Sequence, residues 1–161
     1  MTDHNLAITR AELESKSAQT LIAALNAELS ALYPEPGANH FRLDPYEVAE
    51  GRGIFVIASR AGRPIGCGAL RSIDRATGEI KRMFVIEDER GSGTGRAILE
   101  TLEAEARALG FSRIVLETGI RQLAAIALYE RAGFAHIPPY GEYVASAETS
   151  VCMAKELAPV F

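Results

Sequence analysis

Cysteine and histidine are scarce in this chain of 161 residues, and neither is arranged for chemistry. Cys67 and Cys152 form no C-x-x-C pair, and His4, His40 and His136 are scattered, so neither a disulfide framework nor a metal site is expected. Long apolar runs are missing too. Residues 54–58 are cut short by Ser59 and Arg60, far below the length of a membrane span. The first ten residues lack the basic stretch and apolar run of a signal peptide. The expectation is a soluble, cytoplasmic protein with no membrane partner. An excess of basic residues is also absent: the net charge is −4, which argues against a general nucleic-acid binder because phosphate backbones select basic surfaces. Repeats, low-complexity segments and a visible linker are lacking as well. With 48% apolar residues available for a core, one domain spanning 1–161 is the expectation, and a homodimer is compatible with it.

The acidic charge that is present is uneven. Residues 1–50 carry eight acids against three bases, and the rest of the chain is nearly balanced. The acidic part and any anion-binding part therefore point to different ligands, and the acidic part to a preference for cationic acceptors. Residues 6–13 fit an opening strand. Leu21, Leu25, Leu29 and Leu32 then recur at helical spacing until Pro34 and Pro36, which predicts a helix over 17–33. Asp44-Pro45-Tyr46-Glu47 has the makings of a capped short helix, ended by Gly51. Strands over 54–60, 65–73 and 79–86 form an antiparallel meander with turns at 61–64 and 75–78.

From Gly93 the period changes. Ile98, Leu102, Ala106 and Leu109 mark one helix face up to Gly110, and residues 111–118 form a strand. Strand, glycine loop, helix and strand make a crossover unit, so 79–86 and 113–118 should be parallel neighbours. A helix over 122–132 and two strands, 134–143 and 149–157, around the 138–141 turn complete a mixed α/β fold.

The glycine loop carries the chemistry. Arg90, Gly91, Ser92, Gly93, Thr94, Gly95 and Arg96 link a strand to a helix start, where unpaired amides and the helix dipole favour an anion. Its three glycines let backbone N–H groups approach a diphosphate, and its arginines add positive charge. A nucleotide-triphosphate loop would need Gly-Lys-Ser/Thr, but Gly95 is followed by Arg96 and Ala97. A dinucleotide fingerprint would need glycine at Arg96, although Glu117 stands near the distance of a ribose-binding acid.

The spacing Arg-x-x-Gly-x-Gly at Arg90, Gly93 and Gly95 resembles the acetyl-coenzyme A loop of the GCN5-related N-acetyltransferases. Residues 79–85 look like the strand entering that loop, and 125–134 look like the family's second signature. The resemblance implies a GNAT-like fold in which the parallel strand pair splays with the help of a bulge. Residues 79–134 would then be the acetyl-CoA-binding core and 1–50 the acceptor-shaping part. Acetyl-CoA would be the co-substrate, and a primary amine of a small molecule or peptide would receive the acetyl group directly. By position, Phe84 and Val85 would contact pantetheine through their backbone, Arg90 to Arg96 would hold the diphosphate, and Gln122 would stand where the family often has an asparagine.

Two catalytic groups follow from the same resemblance. Glu79 matches the strand glutamate that serves as general base, and Tyr129 the tyrosine that protonates the leaving thiolate. Read from the residues alone, Glu79 is equally a solvated acid after a turn, and Tyr129 a half-buried core ring. Tyr140 and Tyr143 are reserves for Tyr129. Lys81 and Arg82 are either substrate contacts or solvated strand charges. Cys67, between two glycines, is a small buried thiol with no assigned role. A non-catalytic acyl-CoA sensor would keep the loop and need neither Glu79 nor Tyr129.

Overall fold

The chain follows the order β1 Leu6–Arg10, α1 Lys16–Leu32, β2 Ile54–Arg60, β3 Arg63–Ser72, β4 Thr77–Val85, α2 Thr94–Ala108, β5 Arg113–Gly119, α3 Leu123–Arg131, β6 Ala135–Ile137 and β7 Ser150–Glu156. This computed structural model describes residues 5–35 and 42–158, so His4, Pro36 and His40 lie outside the described residues. The seven strands form one sheet in the order β1-β2-β3-β4-β5-β7-β6, antiparallel except for the pair β4 and β5.

Alternation in β2 decides which helix covers which face. Ile54, Val56 and Ala58 enter the core beneath α2 with Ile98, Leu102 and Ala106, whereas Phe55 and Ile57 pack with Leu21 and Leu25 of α1. That is the period of two that a sheet covered on both faces requires. Phe55 is fully buried, and burial of such a side chain contributes about 1.5–3 kcal/mol. The β2–β3 hairpin closes through Ala61 (φ 51°) and Gly62 (φ 83°), the paired positive angles of a turn that matches strand twist. Ser15 caps α1 by accepting from the Ala18 N–H at 3.2 Å. Asp44 N–H donates to Glu47 Oε1 at 2.9 Å, which completes half of a capping box on the 3-10 turn Pro45–Val48.

The tail differs from the sequence reading. The expected long strand over 134–143 is only Ala135–Ile137, because Pro138 and Pro139 have no N–H to continue a ladder. Gly141–Ser146 then forms a 3-10 turn that carries Tyr140 and Tyr143 back over β4. β7 lies between β5 and β6, and pairs with β5 along its whole length, from Arg113↔Glu156 to Gly119↔Ser150.

Candidate active site

The site exists because two strands part. β4 and β5 pair from Thr77↔Arg113 to Ile80↔Leu116 and no further, although β4 runs on to Val85 and β5 to Gly119. On the other side of β4 the register jumps: Cys67 faces Phe84 while Ala69 faces Lys81, so Gly68 stands against both Arg82 and Met83. Arg82 takes φ 59°, the left-handed conformation of a bulge residue, and its carbonyl accepts from the Cys67 thiol at 3.2 Å. Burial raises that thiol to about 12, which fits an inert core cysteine.

Outside the fork is a cleft of about 870 Å³ between α1, the glycine loop and α3. Phe84, Val85, Arg90, Gly91, Gly93, Gly95, Arg96 and Gln122 all border it. Gly91 (φ 83°) and Gly93 (φ 90°) are left-handed, and Gly93 caps α2. Gly95 lies in the first turn of α2, where a Cβ would make ordinary contacts of 3.4 Å with Leu128 and 3.8 Å with Val85. Two residues of the expected loop do not line the cleft. Thr94 is buried, and the exposed Ser92 has its hydroxyl engaged, donating to the Glu89 carbonyl at 2.6 Å.

The arginines act first as struts. Arg90 Nε donates to the Val85 carbonyl at 2.8 Å and Nη2 pairs with Glu28 of α1 at 2.8 Å, while Arg96 pairs with Glu100 on the helix surface at 3.0 Å. Gln122, expected to contact coenzyme A, has its Oε1 accepting from the Gly119 N–H at 2.9 Å and so braces the β5–α3 turn. The same turn is tied to α1, because the Tyr33 hydroxyl accepts from the Arg121 N–H at 2.9 Å. A Cβ at Gly119 would collide with that hydroxyl.

Inside the fork lies a smaller cavity of about 100 Å³. Lys81, Arg82 and Met83 form its β4 wall, Glu117 and Thr118 its β5 wall, and Tyr129 its α3 wall. Tyr129 borders both spaces. Its ring packs edge-on against Phe134 at 5.8 Å, and burial, followed by the nearby Glu117 charge, holds its hydroxyl above the ordinary tyrosine range. Glu117 is a cavity carboxyl with a shifted proton: burial raises it to about 7, against the lowering effects of the Ser150 hydroxyl at 2.6 Å and of Lys81.

Glu79 stands elsewhere. It is fully buried, Oε1 accepting from Arg71 Nε at 2.8 Å and Oε2 from the Tyr140 hydroxyl at 2.5 Å. It borders neither space, so the reading as a solvated acid fails, and a proton could reach it only through neighbours such as Tyr140. Arg71 holds Glu47 at 2.9 Å and Glu142 at 3.2 Å as well. Lys81 Nζ donates to the Tyr143 hydroxyl at 3.2 Å, and burial lowers its affinity for a proton. Sequence reasoning noticed Glu117 only as a ribose-binding acid. Arg71 it missed: the observed register sets Arg71 opposite Glu79, whereas counting across the expected 75–78 turn would set Asp74 there.

Among the described residues no group of histidine, cysteine, aspartate and glutamate is gathered to hold a metal, and no helix is long and apolar enough to cross a membrane. Residues 18–134 match the Acetyltransferase (GNAT) family. The chain is 41% identical over 140 residues to an IAA acetyltransferase of Azospirillum brasilense, covering 86% of this chain and 90% of that one. It is 33% identical to a mycothiol acetyltransferase of Beutenbergia cavernae over 74% of this chain but 42% of the relative. A solved structure of acyl-CoA N-acyltransferase type from Klebsiella pneumoniae superposes with a TM-score of 0.80 at 33% identity, covering 95% of this chain and 98% of that one. A GNAT family acetyltransferase from Elizabethkingia anophelis, solved with acetyl-CoA bound, shares the fold at a TM-score of 0.69 and 19% identity over 96% and 99% of the two chains.

Proposed function

Because the chain belongs to the GNAT family and is an acetyl-CoA-dependent N-acetyltransferase, we propose that it passes the acetyl group directly to the primary amine of a small molecule, with Glu117 and Tyr129 moving the protons. The observation that carries this reading is the position of Tyr129, on the shared wall of the cleft and the inner cavity. A co-substrate in the cleft and an acceptor in the cavity meet there.

The cleft residues suit acetyl-CoA. Beyond Ile80, β4 is no longer paired with β5, so the backbone near Phe84 and Val85 is placed to hydrogen-bond an amide-bearing arm as an added strand would. The glycine-rich start of α2 offers N–H groups and the positive end of a helix dipole to a diphosphate. Acetyl-CoA, when bound, supplies an activated thioester. Glu117 accepts one proton from the incoming ammonium, leaving a nitrogen lone pair free to bond the carbonyl carbon. Tyr129 gives its proton to the departing sulfur as the carbon–sulfur bond breaks, and recovers one from the nitrogen as the amide forms. The products are the acetamide, a thiol and one released proton.

Glu117 replaces Glu79 in this proposal because it is the carboxyl on the cavity wall. Glu79 then holds Tyr140 and Arg71, and Arg71 in turn pairs with Glu47 and Glu142. The small size of the cavity and the similarity to an IAA acetyltransferase and a mycothiol acetyltransferase support a small acceptor. Calorimetry with acetyl-CoA, followed by thiol release with a panel of amines, tests the reading. Binding with amine-dependent thiol release is expected; binding without release from any amine would indicate an acyl-CoA sensor and sink the proposal.

A further inference from the structure

Building on that proposed transfer, we infer that the acceptor is an amine that also carries a carboxylate, an amino acid or a close relative, whose carboxylate is received by Lys81 and Arg82 while its amine faces Glu117 and Tyr129. The inference starts from the bulge. In a regular strand, neighbouring side chains point to opposite faces, so Lys81 and Arg82 would not share a surface. The left-handed turn at Arg82 breaks the alternation, and both residues, with Met83, line the same cavity. Two cationic side chains on one wall thus face a carboxyl and a phenol on the walls opposite.

The acidic N-terminal part does not cancel that polarity. Among the described residues its contribution to the cavity is Leu25, Leu29 and Tyr33, with no acid among them. Glu28, Glu35 and Glu47 are instead paired with Arg90, Arg121 and Arg71 at 2.7–2.9 Å. Three of the eight N-terminal acids therefore tie that part to the rest of the fold. Glu142 lies 3.5 Å from Lys81 Nζ, but Arg71 shares it at 3.2 Å. A bare amine or a diamine entering this space would set its positive charge near both cations. A zwitterion can turn its ammonium to Glu117 and its carboxylate to Lys81 and Arg82.

Size points the same way. The inner cavity, about 100 Å³ against about 870 Å³ for the cleft, is small. It accommodates an amine, a carboxylate and a short connection between them; a larger side chain must extend out of the cavity. Arginine is suited to gripping a carboxylate with two parallel N–H bonds, and Lys81 adds a point charge.

The test compares kcat/KM for amino acids with α-, β- and γ-spaced amines, their carboxamides, the matching decarboxylated amines and an α,ω-diamine, read by thiol release. The carboxamide of an α-amino acid has the less basic amine and more of it is neutral, so intrinsic reactivity runs against the expected order. At least one amino acid should exceed its carboxamide by about tenfold or more, because a site built for a polar group is left unpaired by the analogue lacking it. In Arg82→Gln that ratio should fall towards one. Lys81→Met should lower it in the same direction, which keeps the test valid if circular dichroism shows that Arg82→Gln is misfolded. Carboxamides or diamines turned over as well as the amino acids would overturn the inference and leave acetyl transfer standing. So would binding of acetyl-CoA with no amino acid acetylated. Failure to bind acetyl-CoA at all would instead remove the reading on which the inference rests.

Discussion

Ser150 Oγ on β7 donates to Glu117 Oε2 on β5 at 2.6 Å, a neutral donor that partly offsets the burial that raises this carboxyl to about 7. The folded state then holds this proton between the ordinary glutamate range and pH 7, where the unfolded chain has lost it. Stability from this group is therefore highest at low pH and declines as pH rises to about 7. Glu117→Gln removes the dependence. Its melting temperature relative to wild type should rise between pH 5 and pH 8, and an equal difference at both would place Glu117 in ordinary solvent.

Arg71 is the counter-ion for the buried Glu79 and for Glu47 and Glu142. Arg71→Met leaves a fully buried carboxylate without its cation, a change that typically costs about 3–5 kcal/mol. Denaturation at pH 8 should show that loss. A loss under 1 kcal/mol at pH 8 would mean that water or Tyr140 alone satisfies Glu79.

Gly93 occupies φ 90° with nothing within 4 Å of a built Cβ, so a side chain there meets backbone strain and no steric wall. Gly93→Asp also puts a negative charge at the start of α2. Affinity for both acetyl-CoA and coenzyme A, measured by calorimetry, should drop about tenfold or more, with a modest change in melting temperature. Unchanged affinity would move the diphosphate away from this loop.

Tyr129→Phe keeps the packing on Phe134 and removes the hydroxyl. Turnover should fall about a hundredfold with acetyl-CoA, and less with an acyl donor whose thiol is more acidic and needs less protonation. An equal fall with both donors would assign Tyr129 to placement of the co-substrate.

Much of the fold could be read in the sequence because its devices are local. The leucine spacing of α1, the turn residues 61–64 and the glycines around α2 each act within a few positions, and the structure reproduces those elements to within one or two residues. The cleft was legible for the same reason, since the glycine loop is continuous. The carboxyl proposed as the base was not. Whether Glu79 or Glu117 reaches the cavity depends on where β4 and β5 stop pairing, and that follows from the bulge at Arg82, which no spacing announces. The tail was misread where Pro138 and Pro139 end an otherwise strand-like run and send Tyr140 to Glu79.

The most direct measurement of the account is the pH dependence of kcat/KM for acetyl transfer in wild type, Glu117→Gln and Glu79→Gln. If Glu117 takes the proton from a bound ammonium, wild-type log kcat/KM rises with pH and levels off near 7. Glu79→Gln should retain that inflection, shifted slightly downward because the Glu79 charge helps to raise Glu117. Glu117→Gln must capture amine that is already neutral, so its profile should be about a hundredfold lower at pH 7 and climb without levelling until the amine's own pKa. An inflection near 7 that survives in Glu117→Gln and vanishes in Glu79→Gln would contradict the account and return the base to Glu79.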